Sequence, residues 1–355
     1  MSKNNSNTDQ AKQSRKTGVN GCFSSDNKVL VLIPLSGGKD SQGALLWAIE
    51  KYGLEYCQTA FCDVKWEAEE TYKHIDYLVE KTGIKHNVLT SKKYDGMVDL
   101  AKKKGRFPST TARFCTEELK IYPMIDFILT LKQHIIVIDG VRADESESRS
   151  KKSPECRYFK YYFEPYKTNS MIVEKFTLKP PVTHKQKLQL IKAENRLALG
   201  KEDAKYFTYR KKEVFEWCKN YADDLIRPFF YSTADEIISY SLNRGYEINP
   251  RYFRGYSRVG CDPCIMEGIN EISIMVMTDQ TALNKVKQAE KDADSSFFPP
   301  DKIPKRYHSQ KTKEGKTYAT VEDVERYIKD KNATGNFFEN DKEYNRCKSF
   351  YNICE

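Results

Sequence analysis

The chain of 355 residues contains no apolar run approaching the ~20 residues that a membrane-spanning helix needs. Met1 to Asn20 is polar and lacks the apolar centre of a secretory signal, so residues 1–24 read as a disordered tail on a cytoplasmic protein with no membrane partner. Histidine is scarce, five in all, and none neighbours the cysteine motif described below. The common nucleoside triphosphate pattern, Gly, four residues, Gly-Lys-Ser/Thr, is absent, as is any internal repeat. Cysteine is not scarce, at ten, but only Cys261 and Cys264 form a Cys-x-x-Cys pair. A reducing compartment disfavours disulfides, so cysteines that cluster point to metal binding or catalysis. A hydrophobic content of 39% suits a soluble globular protein, long enough for one embellished core or two domains.

The most informative segment is Leu35-Ser36-Gly37-Gly38-Lys39-Asp40-Ser41. It follows an apolar run at 29–33 and opens into a helical stretch at 42–52, giving strand, glycine turn and helix N-terminus in the order an anion site requires. Adjacent glycines let the backbone bend and approach an anion, the first helical N–H groups point at it, and Lys39 adds a full charge. Further strands are expected at 56–61, 85–89 and 134–139, and helices at 68–81 and 119–132. This alternation predicts a parallel sheet covered on both faces, with ligands at the carboxyl ends of the strands, where Ser36 and Asp63 lie. Helices are also expected at 185–198, 210–221 and 233–244, the last capped by Ser232 or Thr233, and near 321–331.

The net charge of +9 is concentrated: residues 151–212 hold sixteen Lys or Arg against six Asp or Glu. This segment interrupts the strand-helix rhythm as a basic insertion. It carries Tyr158, Phe159, Tyr161, Tyr162, Phe163, Tyr166, Tyr206, Phe207 and Tyr209. Cations hold phosphates and rings stack on bases, so it reads either as a nucleic-acid surface or as a solvated insertion whose rings pack locally.

The 36–41 loop resembles the pyrophosphate loop of the ATP pyrophosphatases. Four further segments strengthen the likeness: Asp63 with Glu67; Arg113-Phe114-Cys115-Thr116-Glu117-Glu118-Leu119-Lys120 ahead of Pro123; Gly140-Val141-Arg142-Ala143-Asp144-Glu145-Ser146 with Arg149; and Ile226-Arg227-Pro228 through Asn249-Pro250, Tyr252 and Gly255 to Cys264. Together they resemble the phosphoadenosine phosphosulfate reductase family of the adenine nucleotide α-hydrolase superfamily, over about 28–268. The resemblance implies an α/β fold, a doubly wound parallel sheet over 25–268 with a mainly helical extension over 269–355.

It also implies ATP cleavage between the α and β phosphates. Ser36, Gly37, Gly38, Lys39 and Ser41 would hold pyrophosphate, with Lys39 neutralising charge on the leaving group. Asp40 and Asp63 are candidates for Mg²⁺, with structural roles as the alternative. Arg142 and Arg149, flanking Ser146, would fork onto a phosphate or sulfate, or else form surface ion pairs. Cys115, Cys156, Cys261 and Cys264 are candidate ligands of a [4Fe-4S] cluster, with structural zinc or redox-active thiols as alternatives. The C-terminal Glu-Cys-Gly-x-His segment of sulfonucleotide reductases is absent, the chain ending Asn352-Ile353-Cys354-Glu355. The resemblance therefore favours adenylation with sulfur transfer to nucleic acid, aided by a sulfur-donor protein. Sulfonucleotide reduction to sulfite and a non-catalytic nucleotide-binding accessory subunit are the rivals.

Overall fold

In a computed structural model, residues 29–312 and 314–333 are described, and the expected N-terminal tail, Cys22, Cys347 and Cys354 lie outside them. One sheet is built from β1 (Val29–Pro34), β2 (Cys57–Cys62), β3 (Lys85–Leu89), β4 (His134–Ile138), β5 (Glu155–Arg157) and β6 (Asp223–Ile226). Its order is β3-β2-β1-β4-β6-β5, parallel throughout except for β5, which runs antiparallel on the edge. Successive side chains of a strand face opposite ways, and here both ways lead to core. Leu30 and Leu32 pack with Ile135, Val137 and Leu225 on one face, while Val31 and Ile33 pack with Ile136 and Ile138 on the other. Each such side chain contributes about 1.5–3 kcal/mol on burial.

The chain fills the β2-β3 side from β1 and then crosses to β4, so the order reverses between β1 and β4. A crevice opens at the carboxyl ends of strands at such a switch point. It is bordered here by the turn into α1 (Lys39–Tyr52) and by the segment after β4. A third core cluster joins Trp66, Tyr94, Met97 and Leu119 to Ile272, Met275, Leu283, Val286, Phe297 and Val324. Helices Ile269–Thr278, Gln280–Ala293 and Val321–Ala333 thus share a core with the loops beyond β2.

The helix expected at 119–132 is shorter. A wide π-type turn occupies Glu117–Ile121 and the regular helix spans Tyr122–Ile128. Pro123 has no N–H to donate back to residue 119, which accounts for the widened turn. Beyond Leu129 the chain is held by other donors, Trp217 Nε1 reaching Leu131 O at 2.6 Å. The insertion holds two antiparallel-packed helices, Asn169–Leu178 and His184–Ala198, where only the second was expected. Thr233 is the cap of the helix Ala234–Leu242 and forms a capping box with Glu236.

His74 of α2 (Glu69–Thr82) is 5% exposed, with Nε2 2.8 Å from Gln42 Oε1. Burial pushes its pKa from 6.5 down to about 4. Between these values the unfolded chain binds a proton that the folded chain refuses. The stabilisation is complete above pH 6.5 and is lost as pH falls through about 4. Denaturant melts are expected to weaken over that interval, and less so in His74→Gln; equal pH slopes would exclude His74 as the source.

Candidate active site

Beyond β1, Leu35 N–H still donates to Ala60 O at 2.9 Å, keeping the chain in the sheet until Ser36. Gly37 has φ +73°, and a Cβ there would stand 2.8 Å from Thr71 Cγ2, so the turn needs glycine on both counts. Ser41 Oγ donates to Gly38 O at 2.9 Å and accepts Ser36 N–H at 3.1 Å, which folds the loop over the first turn of α1. Two residues far along the chain fix it from outside. Asn249 Nδ2 donates to Gly37 O, and Tyr252 Oη accepts the Lys39 N–H, each at 3.1 Å. Gly140 closes the opposite side, since a Cβ there would meet Asp40 O at 2.6 Å.

Lys39 is 4% exposed, its ammonium 3.0 Å from Asp40 Oδ2 and 5.3 Å from the centre of the Tyr252 ring. Burial opposes its charge, but Tyr252 and Asp40 outweigh burial and raise its pKa above that of ordinary lysine. Asp40 also takes Arg142 Nε at 2.7 Å, and Arg142 reaches Asp144 through Nη1.

These contacts correct several sequence expectations. Arg142 does not fork into the open cleft: it is 2% exposed and spent on Asp40 and Asp144. Ser146 caps the short turn Glu147–Ser150, accepting Arg149 N–H at 3.3 Å, and does not line the cleft. Arg149 does line it, paired with Glu145. Asp40 faces the cleft, whereas Asp63 accepts Lys65 N–H and Tyr72 Oη, both at 2.7 Å, away from the lining. The two proposed Mg²⁺ carboxylates do not converge on one wall.

The cleft is a cavity of about 680 Å³ running from Ser36, Gly38 and Ser41 past Glu67 and Lys120 to Tyr158, Tyr161 and Phe207. Glu67 is 5% exposed; its Oε1 lies 3.6 Å from both Cys261 Sγ and Lys120 Nζ, and its Oε2 has no hydrogen-bond partner. Burial raises the Glu67 pKa against the pull of Lys120. The Lys120 pKa is raised, the attraction of an ionised Cys261 and of Glu67 outweighing burial. Sequence reasoning had named Glu67 and Lys120 only as parts of segments and had given neither a role.

Cys115, Cys261 and Cys264 all pack against the C-terminal core cluster, and burial raises each thiol above its usual range. Cys156 does not join them. It lies in β5 against the opposite cluster, with Arg227 Nη1 3.6 Å from its sulfur. Among the described residues no group of three or more His, Cys, Asp or Glu stands ready to hold a metal. The four-cysteine set expected from sequence is therefore not assembled, because the antiparallel edge strand carries Cys156 into a different layer.

A glycine loop and helix N-terminus at the switch point of a doubly wound sheet is the arrangement in which open α/β folds place anion sites. Residues 30–161 match the phosphoadenosine phosphosulfate reductase domain. An uncharacterized 37.8 kDa protein of Escherichia phage 186 is 23% identical over 339 residues, covering 80% of this chain and 83% of its own. Phosphoadenylyl-sulfate reductase from Candida auris is similar at 12% identity and TM-score 0.37, over 66% of this chain and 81% of that one. The U34-tRNA thiolase NcsA from Methanococcus maripaludis, solved with its [4Fe-4S] cluster, is similar at 14% identity and TM-score 0.32, over 84% and 81%. Among the described residues no helix is long and apolar enough to cross a membrane.

Proposed function

We propose that the chain binds ATP with its pyrophosphate on the 36–41 loop and transfers the adenylyl group to an acceptor, ahead of displacement of AMP by sulfur. An acceptor oxygen attacks the α-phosphorus, the bond to the bridging oxygen breaks, and pyrophosphate leaves with the electron pair. The acceptor's proton goes to solvent or to a cavity carboxylate. Mg²⁺ would supply further charge neutralisation on the phosphates, with Asp40 as its nearest candidate ligand. The observation that carries this reading is the buried, charge-locked Lys39 in a loop whose helix N-terminus faces the cavity. Incubation with ATP, Mg²⁺ and acceptor is expected to yield AMP and pyrophosphate; ADP and phosphate would place the chemistry at the wrong bond.

Nucleic acid is the acceptor class supported by the basic insertion. Its second helix exposes Lys185, Lys187 and Lys192, and these outlying lysines are better probes of strand binding than Arg157, whose Nε and Nη2 are bound to Asp223. Affinity for single-stranded nucleic acid should fall steeply with salt. Changing the three lysines to Gln is expected to reduce the log-log slope by about 2–3, at about 0.7–0.9 per lost contact. An unchanged slope would remove this face from the reading. Sulfonucleotide reduction remains the second reading because of the family match over 30–161. Sulfite release from phosphoadenosine phosphosulfate and a thiol, with no strand binding at low salt, would favour it.

The sulfur chemistry in this reading belongs to Cys115, Cys261 and Cys264. Iron or zinc carried by anaerobically purified protein is expected to fall in Cys261→Ser and to be unchanged in Cys156→Ser. Equal loss in both would restore the four-cysteine set.

A further inference from the structure

The cavity is longer than a phosphate cradle. Its far end is walled by Tyr158, Tyr161, Tyr162 and Phe207, all from the neck of the basic insertion. That neck is stitched by backbone: Phe207 N–H donates to Tyr161 O, and Tyr166 N–H to Lys205 O, each at 2.9 Å. The chain therefore enters and leaves the insertion at one place. Phe159 anchors the neck to the sheet layer, packed edge-on against Tyr162 at 5.6 Å and Trp217 at 5.8 Å. Tyr161, 44% exposed, is free of that packing.

Five cations line the cavity: Lys120, Arg149, Lys152, Arg227 and Arg258. Lys120 is paired with Glu67, Arg149 with Glu145 and Arg227 with Asp139 at 3.0 Å, whereas Lys152 and Arg258 form no ion pair among the described residues; of these two, Lys152 belongs to the insertion that supplies the rings. A wall of rings beside a cation that forms no ion pair is complementary to a planar aromatic group that carries an anion. The loop at the other end carries its own buried cation, Lys39, between the lining residues Gly38 and Asp40, so Lys152 marks a second anion position.

We propose that the neck of the insertion builds the acceptor subsite, which takes a nucleotide unit with its base against Tyr161 and Phe207 and its phosphate at Lys152. What happens to that unit next rests on the adenylation reading; its binding does not. The insertion then has two parts with different work: a neck that reads one nucleotide, and a helical hairpin outside the cavity.

The test is calorimetric titration of the full chain with AMP, GMP, CMP and UMP, alone and with saturating α,β-methylene ATP. At least one monophosphate should bind the analogue-loaded protein. Lys152→Gln and Tyr161→Ala should each weaken it about tenfold, as loss of one charged contact or one stacking face implies, and leave analogue affinity unchanged. Competition between every monophosphate and the analogue would overturn the proposal, because the ring wall would then belong to ATP's own base. Absence of monophosphate binding, or indifference to both substitutions, would overturn it equally. If the analogue fails to bind while a monophosphate binds and is lost in Lys152→Gln, the adenylation reading falls and the subsite stands. If pyrophosphate is released but no monophosphate binds, the reverse holds. A 5′-phosphorylated single-stranded octanucleotide distinguishes the source: tighter binding than the monophosphate with a steeper salt slope marks a strand, and parity marks a free nucleotide.

Discussion

Lys39→Ala protein is expected to lose ATP-dependent pyrophosphate release by about 10²–10³-fold, the usual cost of removing one preorganised group that meets charge developing in the transition state. Several features make Lys39 more than a surface cation. It is 4% exposed, so water screens it little, and Asp40 and Tyr252 hold its charge against burial. The residual activity reports what the loop N–H groups and Ser41 contribute alone. Tyr252→Phe should cost less, about tenfold, because it removes only the oxygen that accepts the Lys39 N–H. Comparable pyrophosphate release by Lys39→Ala and the parent, with the fold intact by circular dichroism, would remove the loop from the chemistry.

The largest effect on stability is expected at Arg251. Its guanidinium is 2% exposed, donates to Asp262 Oδ2 at 3.1 Å and lies 3.9 Å from the centre of the Tyr256 ring. Asp262 is itself 3% exposed, and burial already raises its pKa despite Arg251. Arg251→Ala leaves that carboxyl buried without its cation, an error worth about 3–5 kcal/mol. Removing both charges should be milder: Arg251→Met with Asp262→Asn is expected to recover much of the loss, giving a strongly non-additive cycle in denaturant melts. Strict additivity would mean that the two residues act separately.

Features whose cause is local were legible from sequence. The apolar run, glycine turn and helix that make the loop are contiguous, and β1 and β4 were recognisable because buried parallel strands are nearly continuous apolar runs, whereas the edge strand β3 has no buried residue and was legible only from the strand-helix rhythm. Strand β6 was not, since it begins Asp223-Asp224 and Asp223 is buried only because Arg157 and the Phe159 N–H satisfy it. The site was readable by position but not by partnership. Arg142 was noticed and misassigned because its main partner, Asp40, lies 102 residues earlier. Cys156 was grouped with the other cysteines because nothing in a linear chain shows which layer an antiparallel edge strand will enter. The rings of the insertion divided in a way composition cannot show. Tyr158, Phe159, Tyr162, Phe207 and Tyr209 pack on the sheet, while Tyr161, Phe163, Tyr166 and Tyr206 stay exposed.

Asn249 and Tyr252 hold a loop that was synthesised more than 200 residues before them. A nascent chain that has emerged only as far as residue 161 contains every residue of the loop and the whole family-matched segment, yet neither of the two side chains that set the loop's shape. On the proposed function, competence to bind ATP is acquired late in synthesis, when the 249–252 segment docks, and the smallest fragment expected to display it extends beyond Tyr252.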